Sequence, residues 1–188
     1  MPKTLAALAL LLAGTAAAVA ATPAVAPVEK IVAVMYANWG NGDPGATTPD
    51  GVDADYFAPA LLDGVYSARI AALYREAAKH PAFDVEDDAT GSPFDYDPIV
   101  GGQDGCPLED LKVAPGATTA GRTEVVVTFK NMRCFEGNDA ATREHVSRRV
   151  FVVVTENGHA VVDDVVLDDT DASDTLSKRL AEIAALPQ

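Results

Sequence analysis

The sequence predicts an α+β protein, because helical and extended patterns occupy separate parts of the chain. In the first half, apolar residues recur at the helical period of about 3.6. From Thr123 onward, β-branched and aromatic residues alternate at the strand period of 2, and the segment after Ser173 returns to helical spacing. We therefore expect a curved antiparallel sheet of three or four strands packed on N-terminal helices, with a C-terminal helix.

The N-terminal segment has the layout of a secretory signal peptide. Lys3 precedes an apolar, alanine-rich stretch that ends at Thr22 without the basic flank of a membrane anchor. We expect a signal peptide over 1–20, an extended linker over 21–27 and a single domain over 28–188. The mature protein is therefore expected to be periplasmic or secreted, without membrane insertion after cleavage.

Two helices are predicted before the strands. An apolar stripe over 28–39 stops at Gly40, and a second helix is predicted over 59–79. Gly64 inside the second helix predicts a close approach of another backbone. The connection over 83–107 has no period of either kind, so it is either functional or packed by its own few apolar side chains.

The strands follow this connection. A short strand is predicted over 108–113, and clearer ones over 123–130, 146–155 and 160–167. Asn157-Gly158 supplies two residues that tolerate positive φ, which predicts a type I′ hairpin between the last two strands. Ser173 or Asp174 can cap the final helix.

The composition is strongly acidic. The chain has 28 Asp and Glu against 14 Lys and Arg, and its formal net charge is -14. Such a surface repels the phosphates of nucleic acids and anionic lipid. No nucleic acid is expected as a partner, which leaves an unknown small molecule or a basic protein.

The two cysteines, Cys106 and Cys134, leave no odd thiol. In an exported protein this number predicts a disulfide. A C-x-x-C motif is absent from the sequence, so a thioredoxin-like redox enzyme is not indicated.

Several short motifs resemble a known family. They cover nearly all of the predicted domain and are Tyr56-Phe57-x-Pro59, Leu73-Tyr74, Phe94-x-Tyr96-Asp97-Pro98-Ile99, Gln103-Asp104, Leu111-Lys112-Val113 and Val162-Asp163-Asp164-Val165. In these the chain resembles the bacterial exported family called domain of unknown function 3828, which is similar to nuclear-transport-factor-2-like and cystatin-like α+β folds. The resemblance implies a cone-shaped fold and export, and it implies no activity.

Metal and cofactor chemistry finds no support in the motifs. No zinc-ligand spacing, nucleophile motif or phosphate-binding loop occurs, and the acidic run from Asp168 departs from a calcium-binding loop at that loop's sixth and twelfth positions. We expect no metal, no cofactor and no catalytic residue of these kinds.

Two groups of residues are candidates for a site. In the long connection, Asp97, Gln103 and Asp104 either offer acceptors to a ligand or close the loop. The adjacent pair Asp163 and Asp164 must point to opposite faces of a regular strand, so one carboxylate faces inward. That carboxylate either locks the sheet, through backbone N–H groups or Arg148 and Arg149, or acts as a general base beside a tyrosine such as Tyr36, Tyr66 or Tyr74.

These candidates define three functional hypotheses. The first is an exported, non-catalytic binding or interaction module. The second is a cone-fold enzyme of the isomerase or dehydratase kind that uses an inward aspartate. The third is an inhibitor or immunity-type protein that acts on a basic target through its acidic surface.

Overall fold

A computed structural model describes residues 23–52, 54–83 and 91–187. It confirms the α+β class with a four-stranded antiparallel sheet that is not closed, in the order β1-β2-β3-β4. The elements are α1 (Val25–Trp39), α2 (Pro59–Gly64), α3 (Ala68–Ala77), β1 (Glu109–Thr119), β2 (Arg122–Lys130), α4 (Ala140–Arg143), β3 (Ser147–Glu156), β4 (His159–Val166) and α5 (Leu176–Ala184). The predicted signal peptide lies outside the described residues.

Two tight hairpins set the register of the sheet. Asn157 and Gly158 have φ of 51° and 81°, which confirms the positive-φ turn predicted between β3 and β4. A second hairpin was not predicted: Ala120 and Gly121 have φ of 51° and 79° and connect β1 to β2. Strand β1 is longer than the six residues expected, and its register shifts between Glu109 and Lys112 and again between Pro115 and Thr118.

Helix α1 begins earlier than predicted. The predicted linker over 21–27 is wrong for its last three residues, because Val25 opens the helix and both Val25 and Pro27 are buried. Proline fits here because a first-turn N–H has no intrahelical partner to lose. The buried face of α1 continues through Val28, Ile31 and Met35 into the core.

The predicted second helix is divided in two. Between α2 and α3, the backbone N–H of Ser67 donates to the carbonyl of Val162 and the N–H of Val162 donates to the carbonyl of Val65, each over 2.8 Å. Ser67 also caps α3 by accepting from the N–H of Ile70. The break thus gives the outer edge of β4 a partner. The prediction of a close backbone contact at Gly64 is wrong, since nothing lies within 4 Å of a Cβ built there.

Cys106 and Cys134 form the predicted disulfide. It joins the end of the long connection to the segment after β2, where the N–H of Cys106 also donates to the carbonyl of Asn131 over 2.8 Å. Within the described residues, no helix is long and apolar enough to cross a membrane.

Candidate functional site

The centre of the long connection is a tight turn over 97–102, held by the carboxylate of Asp97. Oδ1 accepts from the backbone N–H groups of Ile99 at 2.9 Å and Val100 at 2.7 Å. Oδ2 accepts from the indole of Trp39 at 2.6 Å and the hydroxyl of Tyr56 at 2.7 Å. With two donors on each oxygen, the acceptor capacity of this carboxylate is filled. Asp97 closes the turn and fastens it to two other segments of the chain.

Arg149 on β3 fastens the same turn to the sheet. Its Nε and Nη2 each donate over 2.6 Å, to the carbonyls of Ile99 and Val100 respectively. The guanidinium also lies over the ring of Phe129, 5.6 Å from its centroid. Burial lowers the pKa of Arg149, and the charge of Asp169 opposes that effect. Because Arg149 donates to carbonyls of the turn, its predicted pairing with an inward aspartate of β4 is wrong.

A cavity of about 670 Å³ lies beside this turn and opens to solvent. Three carboxylates belong to its lining, those of Asp55, Asp95 and Asp97, and no Lys, Arg or His is found among its described lining residues. Six aromatic side chains also line it: Trp39, Tyr56, Phe57, Phe83, Phe94 and Tyr96. We call this cavity the aromatic pocket.

The wall of the aromatic pocket is built from packed rings. Phe57 stacks on Tyr74 with their centroids 4.2 Å apart, and its centroid lies 5.5 Å from that of Tyr66. Phe94 meets Tyr96 edge to face at 5.7 Å. Such contacts hold rings in fixed orientations. Tyr74, a predicted site residue, thus supports Phe57 and is not among the described lining residues.

The tyrosines of this region stay protonated. Burial, with a smaller contribution from the charge of Asp55, raises the pKa of Tyr74 to about 12. Burial and then the charge of Asp97 raise the pKa of Tyr56, which donates its proton to that carboxylate. Both hydroxyls are therefore donors and not bases at neutral pH.

The other predicted loop residues lie at the surface. Gln103 lines the aromatic pocket and donates from Nε2 to the carbonyl of Asp95 over 2.8 Å, so it closes the loop at an exposed position. Asp104 is exposed and lines a different cavity. Asp97, Gln103 and Asp104 were predicted to offer acceptors to a ligand. Of these, Gln103 is the one that lines the aromatic pocket and whose side-chain oxygen accepts no described hydrogen bond.

Asp163 and Asp164 fasten helices to the sheet. Asp163 accepts from Ser67 at 2.9 Å, Arg69 at 3.1 Å and Arg122 at 2.9 Å. Asp164 accepts from both the N–H and the hydroxyl of Ser177 at the start of α5. The pair does not alternate as in a regular strand, because Val152 pairs with Asp164 and Val153 with Val162, which leaves Asp163 in a bulge.

The electrostatics of Asp163 oppose a general-base role. Burial is the largest influence on its pKa and raises it. Hydrogen bonds from Arg69 and Ser67, with the charges of Arg69 and Arg122, outweigh burial, so the pKa of Asp163 is lowered. The general-base alternative is therefore not supported; Asp163 instead locks the sheet, as the other alternative predicted, but through Arg69 and Arg122 instead of Arg148 and Arg149.

Sequence reasoning missed most residues of the aromatic pocket. Phe94 and Tyr96 were considered only as apolar residues that could pack the long connection, if it was not functional, and Trp39 only as part of a helix stripe. One signal could have indicated them: aromatic residues cluster at 56–57 and 94–96 beside aspartates. Among the residues that the structure describes, no group of His, Cys, Asp or Glu is placed to hold a metal ion.

No family model, curated protein or solved structure matches this chain. The resemblance described above therefore stays a prediction, and function has to be argued from the site.

Proposed function

We propose that the protein is an exported, non-catalytic binding module that holds an organic cation in the aromatic pocket. One observation carries the proposal: six aromatic side chains and three carboxylates line the cavity, with no basic side chain among its described lining residues. The faces of aromatic rings attract cations through their quadrupole, by about 0.5 to 2 kcal/mol each. The carboxylates attract the cation further, because salt screens the attraction between charges only partly within about 10 Å.

The three carboxylates contribute in different ways. Asp97 is saturated by its four donors and supplies its charge alone. Asp55 accepts from the N–H of Phe57 and adds a second charge at the lining. Asp95 is exposed at the rim, and only its backbone carbonyl is engaged among the described hydrogen bonds. Its carboxylate is therefore the one best placed to contact a bound cation directly.

A ring of this wall already binds a cation within the molecule. The guanidinium of Arg179 lies 5.6 Å from the centroid of Tyr96 and donates to its hydroxyl. Asp174 pairs with Arg179 and so offsets its charge. The ring of Tyr96 thus already makes a cation–π contact within the molecule, and Asp174 keeps the charge of Arg179 from opposing a bound cation.

The size of the cavity suits a small organic molecule, since ligand pockets commonly measure about 300 to 1,000 Å³. The lowered pKa of Asp163 speaks against the general base that an isomerase-like enzyme would need. The disulfide accords with an oxidising compartment such as the periplasm or the extracellular space.

A basic protein is the second candidate ligand, and the net charge of -14 favours it. An arginine or lysine side chain offers the same chemistry to an open, aromatic and acidic pocket. An inhibitor of a basic target would use the pocket in this way, with the acidic surface accelerating encounter.

Fluorescence of Trp39, the single tryptophan, provides the test. Choline and its neutral isostere 3,3-dimethyl-1-butanol have nearly the same shape and differ in charge. We expect saturable quenching or a spectral shift with choline and none with the neutral alcohol at equal concentration. A short arginine-rich peptide that binds more tightly than choline, with strong salt dependence, would favour the protein ligand.

Charge variants make the test specific. Asp95→Asn should weaken choline binding by about two- to fivefold, the range expected for an exposed ion pair. Glu29→Gln removes the same charge from an exposed position of α1 outside the pocket and should leave binding unchanged. Equal responses to choline and the neutral alcohol, or no response to choline and the peptide, would overturn the proposal.

A further inference from the structure

A second cavity, of about 510 Å³, is lined by other residues of the same turn. Val100 and Gly101 contribute to it, together with polar side chains from β3, from α4 and its flanking segments, and from the end of the long connection. Its polar side chains are Arg149, Asn131, Ser147, Thr142, His145 and Asp104. We call it the Arg149 cavity.

Arg149 has unused donors in this cavity. The residue is only 6% exposed. A guanidinium carries five N–H groups, and three of them donate here to the carbonyls of Ile99, Val100 and Arg148. The oxygen of Asp169 closest to it lies 3.8 Å from Nη1, beyond hydrogen-bond distance. Two N–H groups of the guanidinium therefore have no acceptor among the described residues, while Asp169 offsets part of its charge from 3.8 Å.

Asn131 presents a second polar group to the cavity. It is 7% exposed, and its backbone carbonyl accepts from Cys106. Its side-chain amide makes no hydrogen bond with any residue that the structure describes, although it lines the cavity. The amide nitrogen and oxygen are not fully enclosed by the described residues, so both are accessible from the cavity.

Gly101 keeps the cavity open toward Arg149. Its φ of 90° favours glycine, and a Cβ at this position would lie 2.7 Å from Nη2 of Arg149. Any other side chain would therefore displace or cover this nitrogen. Glycine at this position therefore leaves Nη2 of Arg149 accessible from the cavity.

We propose that the Arg149 cavity binds a small carboxylate through Arg149 and Asn131. A planar carboxylate can accept from the free N–H groups of a guanidinium and from an amide NH₂. Two carboxylates lie close by: Asp104 lines the cavity, and Asp169 lies 3.4 Å from Nε2 of His145. The charge of these carboxylates repels a dianion such as phosphate more strongly than a monoanion, so the site should prefer a monocarboxylate. This site is independent of the aromatic pocket and of its ligand.

NMR of the folded, exported protein tests the site with acetate and benzoate as probes and phosphate as the comparison. Saturable shifts are expected for the Nε–Hε signal of Arg149 and the side-chain NH₂ of Asn131 with the monocarboxylates. Phosphate should shift them less. Binding of phosphate as tight as that of acetate would overturn the assigned ligand class, and no shift with any of the three anions would overturn the site.

Two isosteric variants test the site, because they should change the affinity for acetate in opposite directions. Asn131→Asp keeps the shape and places a negative charge against the ligand, so acetate affinity should fall at least about tenfold. Asp104→Asn removes a competing charge and should increase affinity by about two- to fivefold. Arg149 itself is unsuitable for the test because it also holds the turn. If the two variants bind acetate as the unaltered protein does, the proposed contacts are wrong.

Discussion

The indole nitrogen of Trp39 donates to Oδ2 of Asp97 over 2.6 Å and joins the end of α1 to a turn 58 positions later. The hydroxyl of Tyr56 donates to the same oxygen. One aspartate therefore fixes two aromatic side chains of the pocket and the turn whose residues line both cavities. The ring of Trp39 is further confined by Gly105, where a Cβ would lie 2.3 Å from the indole ring.

Asp97→Asn should destabilise the protein and loosen the aromatic pocket together. An amide presents NH₂ where a carboxylate oxygen accepts two donors, and the loss of charge-assisted hydrogen bonds costs about 1.5 to 3 kcal/mol each. We expect a decrease of about 2 kcal/mol or more in the free energy of unfolding, measured by urea denaturation with Trp39 fluorescence. Asp95→Asn, two residues earlier at the exposed rim, is the matched control and should change stability by less than about 0.5 kcal/mol.

The secondary structure could largely be predicted because its signals are local. The stripe of α1 and the period-2 segments of β2 to β4 follow from residues close in sequence, and Asn157-Gly158 encodes its own turn. The break between α2 and α3 could not be predicted in this way. It depends on backbone pairing with Val162, which lies about a hundred positions away and needs a partner for its edge.

The site was less predictable for a related reason. A sequence shows that a loop carries a carboxylate, but it does not show which hydrogen-bond donors reach that carboxylate in the folded protein. The sequence therefore indicated Asp97 but left its role open between ligand contact and loop closure. The donors from Trp39 and Tyr56 come together only in the folded chain. Asp163 was misjudged because a bulge interrupts the alternation on which the prediction rested.

Asp163→Asn should destabilise the protein in a pH-dependent manner. The pKa of Asp163 is lower in the folded protein than its ordinary value, so the carboxylate contributes stability above its unfolded pKa of about 4. This contribution is lost as the pH falls through the lower folded value. The difference in unfolding free energy between the two proteins should thus be about 2 kcal/mol at pH 7 and shrink below about pH 4.

Urea denaturation at several pH values measures this difference. Asp63→Asn serves as the control, because Asp63 pairs with Arg75 at the surface with 70% of its side chain exposed. Its effect should stay below about 0.5 kcal/mol. A difference for Asp163→Asn that stays constant from pH 7 to pH 2 would show that the ionised carboxylate is not what stabilises the bulge.

Ala120→Asn should stabilise the β1–β2 hairpin. Ala120 has a φ of 51°, which is unfavourable for alanine and tolerated by asparagine. The substitution creates the Asn-Gly pair typical of a type I′ turn. An increase of about 0.5 to 1 kcal/mol in unfolding free energy is expected from urea denaturation. Ala120→Val should act in the opposite direction, and stabilisation by both variants would contradict the positive φ.

Gly158→Val should destabilise the β3–β4 hairpin. Gly158 has a φ of 81°, and nothing lies within 4 Å of a Cβ built there. Any loss therefore comes from the backbone, because a β-branched residue resists positive φ. We expect a decrease of about 1 kcal/mol or more, seen as a lower melting temperature in circular dichroism. Gly64→Val tests α2 at a position equally free of neighbours but without positive φ, and an equal loss there would mean that φ is not the cause.

Reduction of the disulfide should loosen the long connection before the rest of the sheet. The bond between Cys106 and Cys134 closes a loop with a sequence separation of 28. Restricting the unfolded chain by a loop of this length contributes about 3 to 4 kcal/mol. The bond also lies beside residues of both cavities, since Gly105 packs on Trp39 and the carbonyl of Asn131 accepts from the N–H of Cys106. Both cavities should therefore respond to its loss.

Hydrogen exchange with and without reductant can resolve the order of events. We expect faster exchange first at Gly101, Val100 and Cys106, while the hairpin around Asn157 retains its protection. The double variant Cys106→Ser/Cys134→Ser provides the same comparison without reductant and should show the same regional difference. Equal loss of protection in both regions would mean that the domain unfolds as one unit. Two titratable thiols in the folded protein, purified without reductant, would contradict the bond itself.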